Sequence, residues 1–195
     1  MQFREVLVLA AHPDDEMGCA GLLNRLADEG AAIHMLTFSH CSDLNGPELY
    51  DEHEAAKDML GISQAEHYDI PNRRLSDFRQ HILHKLTGTY DLVLTPATSD
   101  EHQDHSTVTQ EAIRAYKHST ILGYELPLNT VRESRLSAYV RLERIDVKLA
   151  HAALYASQAG KPYMDPRYIE GLARMRGLQC GAEFAEAFEV IRWML

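Results

Sequence analysis

A histidine and three carboxylates follow directly on the first apolar run of this chain. The run covers residues 6–11, and the next five residues are His12, Pro13, Asp14, Asp15 and Glu16. Imidazole and carboxylate groups are good ligands for zinc and similar ions. Because His12 and Asp15 are three residues apart, both side chains can converge on one point across a tight turn. Asp14 then lies beside the ion without binding it, where a general base is useful.

The same residues have a simpler interpretation as the first turn of a helix. Pro13 has no backbone N–H group to leave unpaired and suits a helix start. Acidic side chains also stabilise the positive end of a helix dipole. Both interpretations place a change from strand to helix at residues 12–15. The first motif alone does not distinguish a metal site from an N-cap.

A second polar group decides between the two interpretations. His102 and His105 lie on either side of Asp104, directly after the fourth predicted strand. Open α/β sheets bind ligands beyond the carboxyl ends of their strands, so we expect both polar groups at one edge. A catalytic zinc site needs three protein ligands and one open position. His12, Asp15 and one of the two later histidines supply that number, and the remaining histidine and aspartates are left for proton transfer and for orienting an imidazole.

The composition indicates one globular domain that covers residues 1–195, with an ordinary hydrophobic fraction of 45%. The net charge of -10 argues against nonspecific binding to nucleic acid or anionic lipid. The three cysteines form no C-x-x-C pair, which is typical of a reducing compartment. No stretch approaches the roughly 18 apolar residues of a membrane span. We therefore expect a cytoplasmic protein that acts on a small molecule, with homo-oligomer formation left open.

Apolar runs and amphipathic stretches alternate along the chain, which predicts an α/β fold. We expect a Rossmann-like three-layer sandwich with a mostly parallel sheet, in a single domain. The predicted strands cover residues 6–11, 32–38, 66–70, 91–96 and 120–125. The predicted helices cover residues 16–29, 48–60, 75–87, 107–118 and 145–158, followed by a long helical segment from about 167 to 193 that is broken near residues 177–181. Residues 45–47, Asn-Gly-Pro, indicate a loop.

The two motifs resemble those of the PIG-L and LmbE-like family of zinc-dependent deacetylases, which includes the N-acetylglucosaminyl-phosphatidylinositol de-N-acetylase. The signature A-H-P-D-D-E is present as residues 11–16, and the second motif, H-x-D-H, as residues 102–105. The resemblance continues along most of the chain. Further matching positions are Glu52, Ala56, Leu60, Gly61, Lys148, residues 155–158 and residues 184–188.

This resemblance implies a zinc-dependent hydrolase that removes the acetyl group from an N-acetylglucosamine-type sugar derivative and releases acetate and a free amine. Fe²⁺ or another divalent ion could fill the same ligands. The implied metal ligands are His12, Asp15 and His105, with Asp14 as general base, protonated His102 as the partner that stabilises the oxyanion, and Asp104 as the residue that orients a neighbouring imidazole.

The substrate contacts are less certain from the sequence, because Leu49 stands where many family members carry an arginine. Arg73 and Arg74 are candidates to replace that arginine, although a pair of loop arginines is more often simply exposed. His40 and Glu125 follow predicted strands on the same rim and could contact sugar hydroxyls or face water.

Two other function classes stay open at this stage. The first is an amidase for another N-acylated small molecule, such as a thiol conjugate or an amino acid derivative. The second is a non-catalytic Rossmann-like binding module. The binding module has less support, because no G-x-G-x-x-G follows the first strand and the phosphate-binding turn is occupied by His12, Pro13 and Asp14.

Overall fold

The aliphatic run after residue 5 forms β1 (Glu5–Ala10), a central strand that is buried on both faces. A computed structural model describes residues 3–41, 46–130 and 135–194. Val6 and Val8 point into one apolar cluster, while Leu7 and Leu9 point into another on the opposite face. Burial of successive residues on alternate sides is what a continuous apolar strand in a covered parallel sheet requires.

The other elements alternate along the chain as helices and strands. The remaining strands are β2 (Ala32–Thr37), β3 (Gln64–His67), β4 (Leu92–Pro96), β5 (Thr120–Tyr124), β6 (Leu136–Arg141) and β7 (Ala185–Arg192). The helices are α1 (Ala20–Asp28), α2 (Gly46–Met59), α3 (Arg79–Lys85), α4 (Gln103–Ala115), α5 (Ile145–Leu154) and α6 (Pro166–Cys180). Short 3₁₀ turns cover Asp15–Cys19, Leu75–Phe78, Ala156–Gln158 and Pro162–Met164.

The seven strands form one sheet in the order β3-β2-β1-β4-β5-β7-β6. Strands β1 to β5 run parallel to one another, and β7 is antiparallel to both β5 and β6. The strand order reverses between β1 and β4, and a crevice opens at the carboxyl ends of the strands at such a switch point. The mostly parallel α/β class is therefore confirmed, and both polar motifs lie at this crevice.

Helices cover both faces of the sheet and give it three layers. Leu23 and Leu26 of α1 pack with Val6 and Val8 on one face. On the other face, Ile82 of α3 and Val108 of α4 pack with Leu7 and Leu9. Within the three described ranges, no helix combines the length and apolar character that crossing a bilayer needs.

The predicted helical segment from about residue 167 and its break near residues 177–181 are confirmed, but the prediction of helix beyond the break is wrong, because residues 185–192 form a strand. Helix α6 ends at Cys180, because Gly181 adopts the left-handed conformation with φ of 72° and Ala182 donates back to the Gly177 carbonyl at 2.9 Å. Such a glycine C-cap stops a helix. The chain then returns as β7, whose buried glutamates hide the alternation expected of a strand. Strand β6 was not predicted, since it lies at the sheet edge and is only half-buried.

One of these buried glutamates supports the turn after β1. Glu186 accepts hydrogen bonds from the backbone N–H groups of Gly21 and Leu22, both at 2.9 Å, at the start of α1. Lys148 donates to Glu186 at 2.7 Å and to the Met17 carbonyl at 2.6 Å. A carboxylate at a helix N-terminus pairs with free N–H groups and with the helix dipole. The pair therefore ties β7 and α5 to the segment that carries the first motif.

Two predicted boundaries also move. Helix α4 starts at Gln103 rather than at residue 107, because the imidazole of His102 caps it by accepting the Asp104 N–H. Histidine is not among the usual N-cap residues, so the sequence pattern did not indicate this start. Helix α2 starts at Gly46, inside the loop predicted for residues 45–47, while Asn45 lies outside the described residues.

Candidate active site

The two polar motifs meet at the carboxyl ends of β1 and β4. His12 follows β1, and His105 lies in the first turn of α4, which follows β4. The ring centroids of His12 and His105 are 5.3 Å apart. The sheet therefore brings together side chains that are 93 residues apart in the chain, as we expected from the strand ends.

Acceptor atoms of three side chains from these motifs lie close together. His12 Nδ1 and His105 Nε2 are 3.3 Å apart, and His105 Nε2 is 3.3 Å from Asp15 Oδ1. His12 Nδ1 is 3.7 Å from the other oxygen of Asp15, Oδ2. Two ligands bound at about 2.05 Å to a tetrahedral zinc ion are about 3.3 Å apart, because the tetrahedral edge is about 1.63 times the bond length. The distances between these side chains are close to that value, so the three side chains fit such an ion.

The far nitrogen of each ring is held by a carboxylate. His105 Nδ1 lies 2.8 Å from Asp100 Oδ2, and His12 Nε2 lies 3.0 Å from Asp104 Oδ2. In a neutral imidazole, a proton donated to the carboxylate leaves a lone pair on the other nitrogen. Carboxylates in this position orient histidines that ligate metals. The two lone pairs face each other at 3.3 Å, so a cation between them stabilises the arrangement.

The charges around His105 also favour a cation. Burial alone lowers the pKa of His105, but Asp15 and Asp100 outweigh burial and raise this pKa to about 10. Burial works against ionisation of Asp15 as well, yet His105 and His12 lower its pKa. Asp15 Oδ2 also accepts the N–H groups of Ala11 and His12, both at 2.9 Å. The carboxylate thus stays charged, and a proton or a metal ion can supply the balancing positive charge.

His102 lies against this group but offers a different atom. Ring nitrogens of His12, His102 and His105 all lie within 4.8 Å of one another. However, His102 Nδ1 accepts the Asp104 N–H at 3.2 Å, so the proton of the neutral ring is on Nε2. Burial and the two neighbouring histidines lower the pKa of His102. The protonated His102 implied by the family resemblance is therefore disfavoured, and the ring presents a neutral N–H donor.

Asp14 occupies a strained position beside the convergent atoms. Its φ is 89° and its side chain makes no capping hydrogen bond to the turn that follows, so the simple N-cap interpretation of the first motif is wrong for this residue. Its carboxylate accepts instead from the Tyr163 hydroxyl at 3.1 Å. Burial, together with the charges of Asp15 and Glu16, raises the pKa of Asp14 to about 7. A carboxylate with this pKa can accept and return a proton near neutral pH.

Asp104 links the histidine group to the loop that carries the two candidate arginines. It accepts the N–H groups of Arg73 at 2.7 Å and Leu75 at 3.1 Å, and Arg73 adopts a φ of 63°. Despite burial, the hydrogen bond from His12 and these N–H groups lower the pKa of Asp104. Arg73 lines the cavity at the site, whereas exposed Arg74 pairs with Asp77 at 2.9 Å and is outside the lining.

The two other predicted substrate contacts differ in position. Glu125 lines the cavity, but both of its oxygens accept hydrogen bonds from the Arg176 guanidinium, one of them at 2.9 Å. The carboxylate is thus already paired. His40 is not part of the cavity lining, and its ring packs against Tyr50 and His67, with centroid distances of 5.1 and 5.3 Å.

The cavity itself has a volume of about 470 Å³, which lies in the range of small-molecule sites. Its lining combines side chains of both motifs with residues of α6 and of the loop after β5. The polar part of the lining includes His12, Asp14, Asp15, Asn72, Arg73, His102, His105 and Tyr163.

Sequence reasoning missed several residues that position this group. Asp100 orients His105 and also accepts the His102 N–H at 2.8 Å. Its place in the loop after β4 was visible in the sequence, but four other acidic or histidine residues follow within five positions, and the pattern gave no reason to select Asp100. Tyr163 reaches Asp14 from a segment 149 residues later, and no local pattern indicates such a contact.

Several solved structures share this fold. N,N'-diacetylchitobiose deacetylase from Pyrococcus horikoshii has a TM-score of 0.77 at 16% identity, covering 97% of this chain and 84% of that chain. A conserved protein from Thermus thermophilus has a TM-score of 0.78 at 22% identity, covering 97% and 96%. The 4-carboxy-2-hydroxymuconate hydratase GalB from Pseudomonas putida has a TM-score of 0.79 at 18% identity, covering 98% of both chains. At these identities, the likeness shows the fold alone.

Sequence comparison identifies the family. No curated protein matches the chain at a significant level. The family model described as PIG-L, GlcNAc-PI de-N-acetylase, matches residues 7–116. This range is more than half of the 195 residues and contains most of β1, the whole of β2, β3, β4 and α4, and both polar motifs. The chain belongs to the PIG-L, GlcNAc-PI de-N-acetylase family.

Proposed function

We propose that this protein is a metal-dependent N-deacetylase that hydrolyses the acetamide of an N-acetylglucosamine-type sugar derivative, giving acetate and a free amine. The observation that carries the proposal is the approach of His12 Nδ1 and Asp15 Oδ1 to His105 Nε2, each at 3.3 Å, in a cavity that Asp14 also lines. Membership of the de-N-acetylase family supports it, as does the diacetylchitobiose deacetylase among the structures with this fold. The proposal assigns the activity to residues 1–195 as a single domain.

His12, Asp15 and His105 would hold the metal ion, and Asp100 and Asp104 would keep both rings in the ligating tautomer. When bound, a zinc or Fe²⁺ ion supplies Lewis acidity, which polarises an amide carbonyl and lowers the pKa of water. Two imidazoles and one carboxylate suit zinc, and they also suit iron(II).

Asp14 would act as the general base. Its carboxylate lies next to the ligands without being one of them, and the Tyr163 hydroxyl holds one oxygen at 3.1 Å. In the proposed reaction, Asp14 accepts a proton from the attacking water. It then returns that proton to the nitrogen of the leaving amine, since an amide nitrogen leaves only after protonation.

His102 would stabilise the negative charge that develops on the carbonyl oxygen. Its Nδ1 is occupied by the backbone of Asp104, so Nε2–H is the group available to donate. A neutral N–H donor placed in advance can stabilise an oxyanion in a site that excludes water. Arg73 would contact the substrate at the mouth of the cavity, in place of the family arginine that is missing at Leu49. This assignment follows from its place in the cavity lining, which Arg74 does not share.

The test compares the zinc-loaded protein with Asp14→Asn. Asparagine tolerates positive φ nearly as well as aspartate, so the turn at 89° should persist. We expect acetate release from N-acetylglucosamine and its glycosides by the wild-type protein, and a kcat reduced about 10³-fold or more in the variant. Elemental mass spectrometry should find the same metal content in both proteins.

Two results would contradict the proposal. Full activity of Asp14→Asn would remove Asp14 from its role, and absence of acetate release despite one bound metal per chain would reject the sugar deacetylase. A panel of N-acyl amino acids and acylated thiol conjugates, run in parallel, identifies the alternative amidase. Because a hydratase shares the fold, hydration of an unsaturated carboxylic acid is the control reaction and should not occur.

A further inference from the structure

The cavity that the side chains of the two motifs line also has an apolar part. Residues of α6 and of the loop after β5 contribute most of this apolar lining. We name this region the apolar annex. Its residues are Met17, Leu126, Leu128, Ile169, Leu172 and Ala173. An acetyl group ends in one methyl carbon, so a cavity of about 470 Å³ holds far more than this group.

The charged residues around the annex are already paired with each other. Glu125 is held by Arg176 through two hydrogen bonds. Lys148 and Glu186 are joined at 2.7 Å, and Glu186 also caps α1. Buried donors and acceptors that satisfy one another offer little to an additional polar group. Sugar hydroxyls placed here would therefore lose their water partners without gaining new ones.

Two apolar side chains at the rim of the annex remain open to water. Leu128, in the loop after β5, is 62% exposed, and Tyr168 of α6 is 41% exposed. Both line the cavity that contains the histidines. Large apolar side chains at the mouth of a concave site mark ligand-binding surface. An apolar ligand group that covers them would remove this surface from water.

From these observations we infer that the substrate carries an apolar substituent of about six carbons or more, which occupies the annex while the amide lies at the histidines. This inference rests on the proposed hydrolysis of a sugar amide at the histidines, and it specifies a second group that the substrate carries. The substituent is either an apolar aglycone on the sugar or an acyl chain longer than acetyl. Both have the same chemistry in the annex, and a pair of substrates distinguishes them.

The experiment measures kcat/KM of the zinc-loaded full chain for three substrates: N-acetylglucosamine, its hexyl glycoside, and N-hexanoylglucosamine. We expect one hexyl-bearing substrate to exceed N-acetylglucosamine by about tenfold or more, since burial of about two methylenes already changes affinity by that factor. The preferred substrate shows whether the apolar group lies on the sugar side or on the acyl side.

The chain offers a matched pair of exposed leucines for the variants. Leu128→Gln changes an annex residue, while Leu178→Gln changes a leucine of α6 that is 83% exposed and outside the cavity lining. We expect the hexyl preference to fall to about threefold or less in Leu128→Gln and to persist in Leu178→Gln. Leu172→Gln probes a deeper position on the same helix and should lower the preference at least as much. Equal rates on all three substrates, or a preference that survives both annex changes, would overturn the inference.

A binding measurement separates this inference from the proposed function. Hexyl glucoside has no amide, so its binding to the protein is measured by calorimetry without any hydrolysis. Binding by the wild-type chain and by Leu178→Gln, with at least tenfold weaker binding by Leu172→Gln, supports the annex even where no N-acyl substrate is hydrolysed. Hydrolysis of N-acetylglucosamine without any binding of hexyl glucoside would overturn the inference about the annex, while the proposed deacetylase function would be supported.

Discussion

Two clusters of histidines lie at the same edge of the sheet, with rings that are equally close. In the cluster at β1 and β4, the centroids of His12 and His105 are 5.3 Å apart. In the cluster beyond β2 and β3, the centroids of His40 and His67 are also 5.3 Å apart, and His53 lies 5.1 Å from His67. Ring spacing alone therefore does not show which of the two clusters binds a metal ion.

The clusters differ in where their nitrogen atoms are directed. Both nitrogens of His53 are used by hydroxyl groups, with Thr37 at 2.9 Å and Tyr155 at 2.7 Å. His67 is held by Glu54 at 2.7 Å, but its other nitrogen has no partner among the described residues. In the first cluster, the facing nitrogens of His12 and His105 are 3.3 Å apart, and each lies within 3.7 Å of an oxygen of Asp15. The ring nitrogens of His12, His102 and His105 also form the one group of three candidate ligand atoms within 4.8 Å that the described residues provide.

This difference shows that the hydrogen-bond partners behind the rings, more than the distance between the rings, distinguish a metal site from packed aromatic rings. A carboxylate behind each ring turns the remaining lone pair toward the common point. Hydroxyl partners on both sides of His53 leave it no free lone pair. Burial lowers the pKa values of His40 and His67, and both rings pack with Tyr50, at centroid distances of 5.1 and 5.4 Å.

The largest expected effect comes from removing one histidine from each cluster. His105→Ala should lose the bound metal and all hydrolytic activity, because only two of the three proposed ligands remain. His67→Ala should keep about one metal ion per chain. Elemental mass spectrometry after purification without chelator measures both, and circular dichroism checks that both variants fold. Metal retained by His105→Ala, or lost by His67→Ala, would reverse the assignment of the two clusters.

A smaller effect is expected from the carboxylates behind the rings. Asp100→Asn should lower zinc affinity about 10- to 100-fold, because a neutral amide orients His105 less firmly and leaves it less basic. Glu54→Gln makes the same chemical change behind His67 and should leave zinc affinity unchanged. Competition with a chromogenic chelator gives both affinities. An equal loss of zinc affinity in the two variants would mean that the loss comes from the change in net charge and not from the orientation of His105.

The smallest effect is expected at His40. This ring packs on Tyr50 outside the cavity lining, and its Nε2 makes no hydrogen bond within the described part of the chain. His40→Gln should therefore change the free energy of unfolding by less than about 1 kcal/mol and leave KM unaltered. Urea denaturation and steady-state kinetics test the two statements. A several-fold rise in KM would restore His40 as a substrate contact.

The parallel part of the fold and the convergence of the two motifs could be predicted from the sequence, because both depend on local patterns. An aliphatic run that ends in charges indicates a buried strand with a polar edge, and β1 and β4 both have this form. Side chains beyond the ends of adjacent parallel strands must lie close together. The placement of His12 near His105 follows from that rule without any knowledge of side-chain contacts.

The features that could not be predicted depend on contacts between segments that are far apart in the chain. Strand β7 contains Glu186 and Glu189, which look like the polar face of a helix but are buried. Glu186 is paired with the start of α1, and Glu189 with Thr98 at 2.6 and 2.7 Å. The choice of Arg73 over Arg74 likewise follows from a left-handed turn that Asp104 holds. The spacing of residues within either segment does not predict these contacts.

The cap that Glu186 provides has a consequence for the order of events during protein synthesis. Glu186 follows Gly21, whose N–H group it accepts, by 165 residues. Ribosomes add about 5 to 20 residues per second, so the first motif leaves the ribosome roughly ten to thirty seconds before its support does. During that interval, water alone pairs with the first N–H groups of α1. The turn that carries the first motif is therefore completed only after β7 has been made.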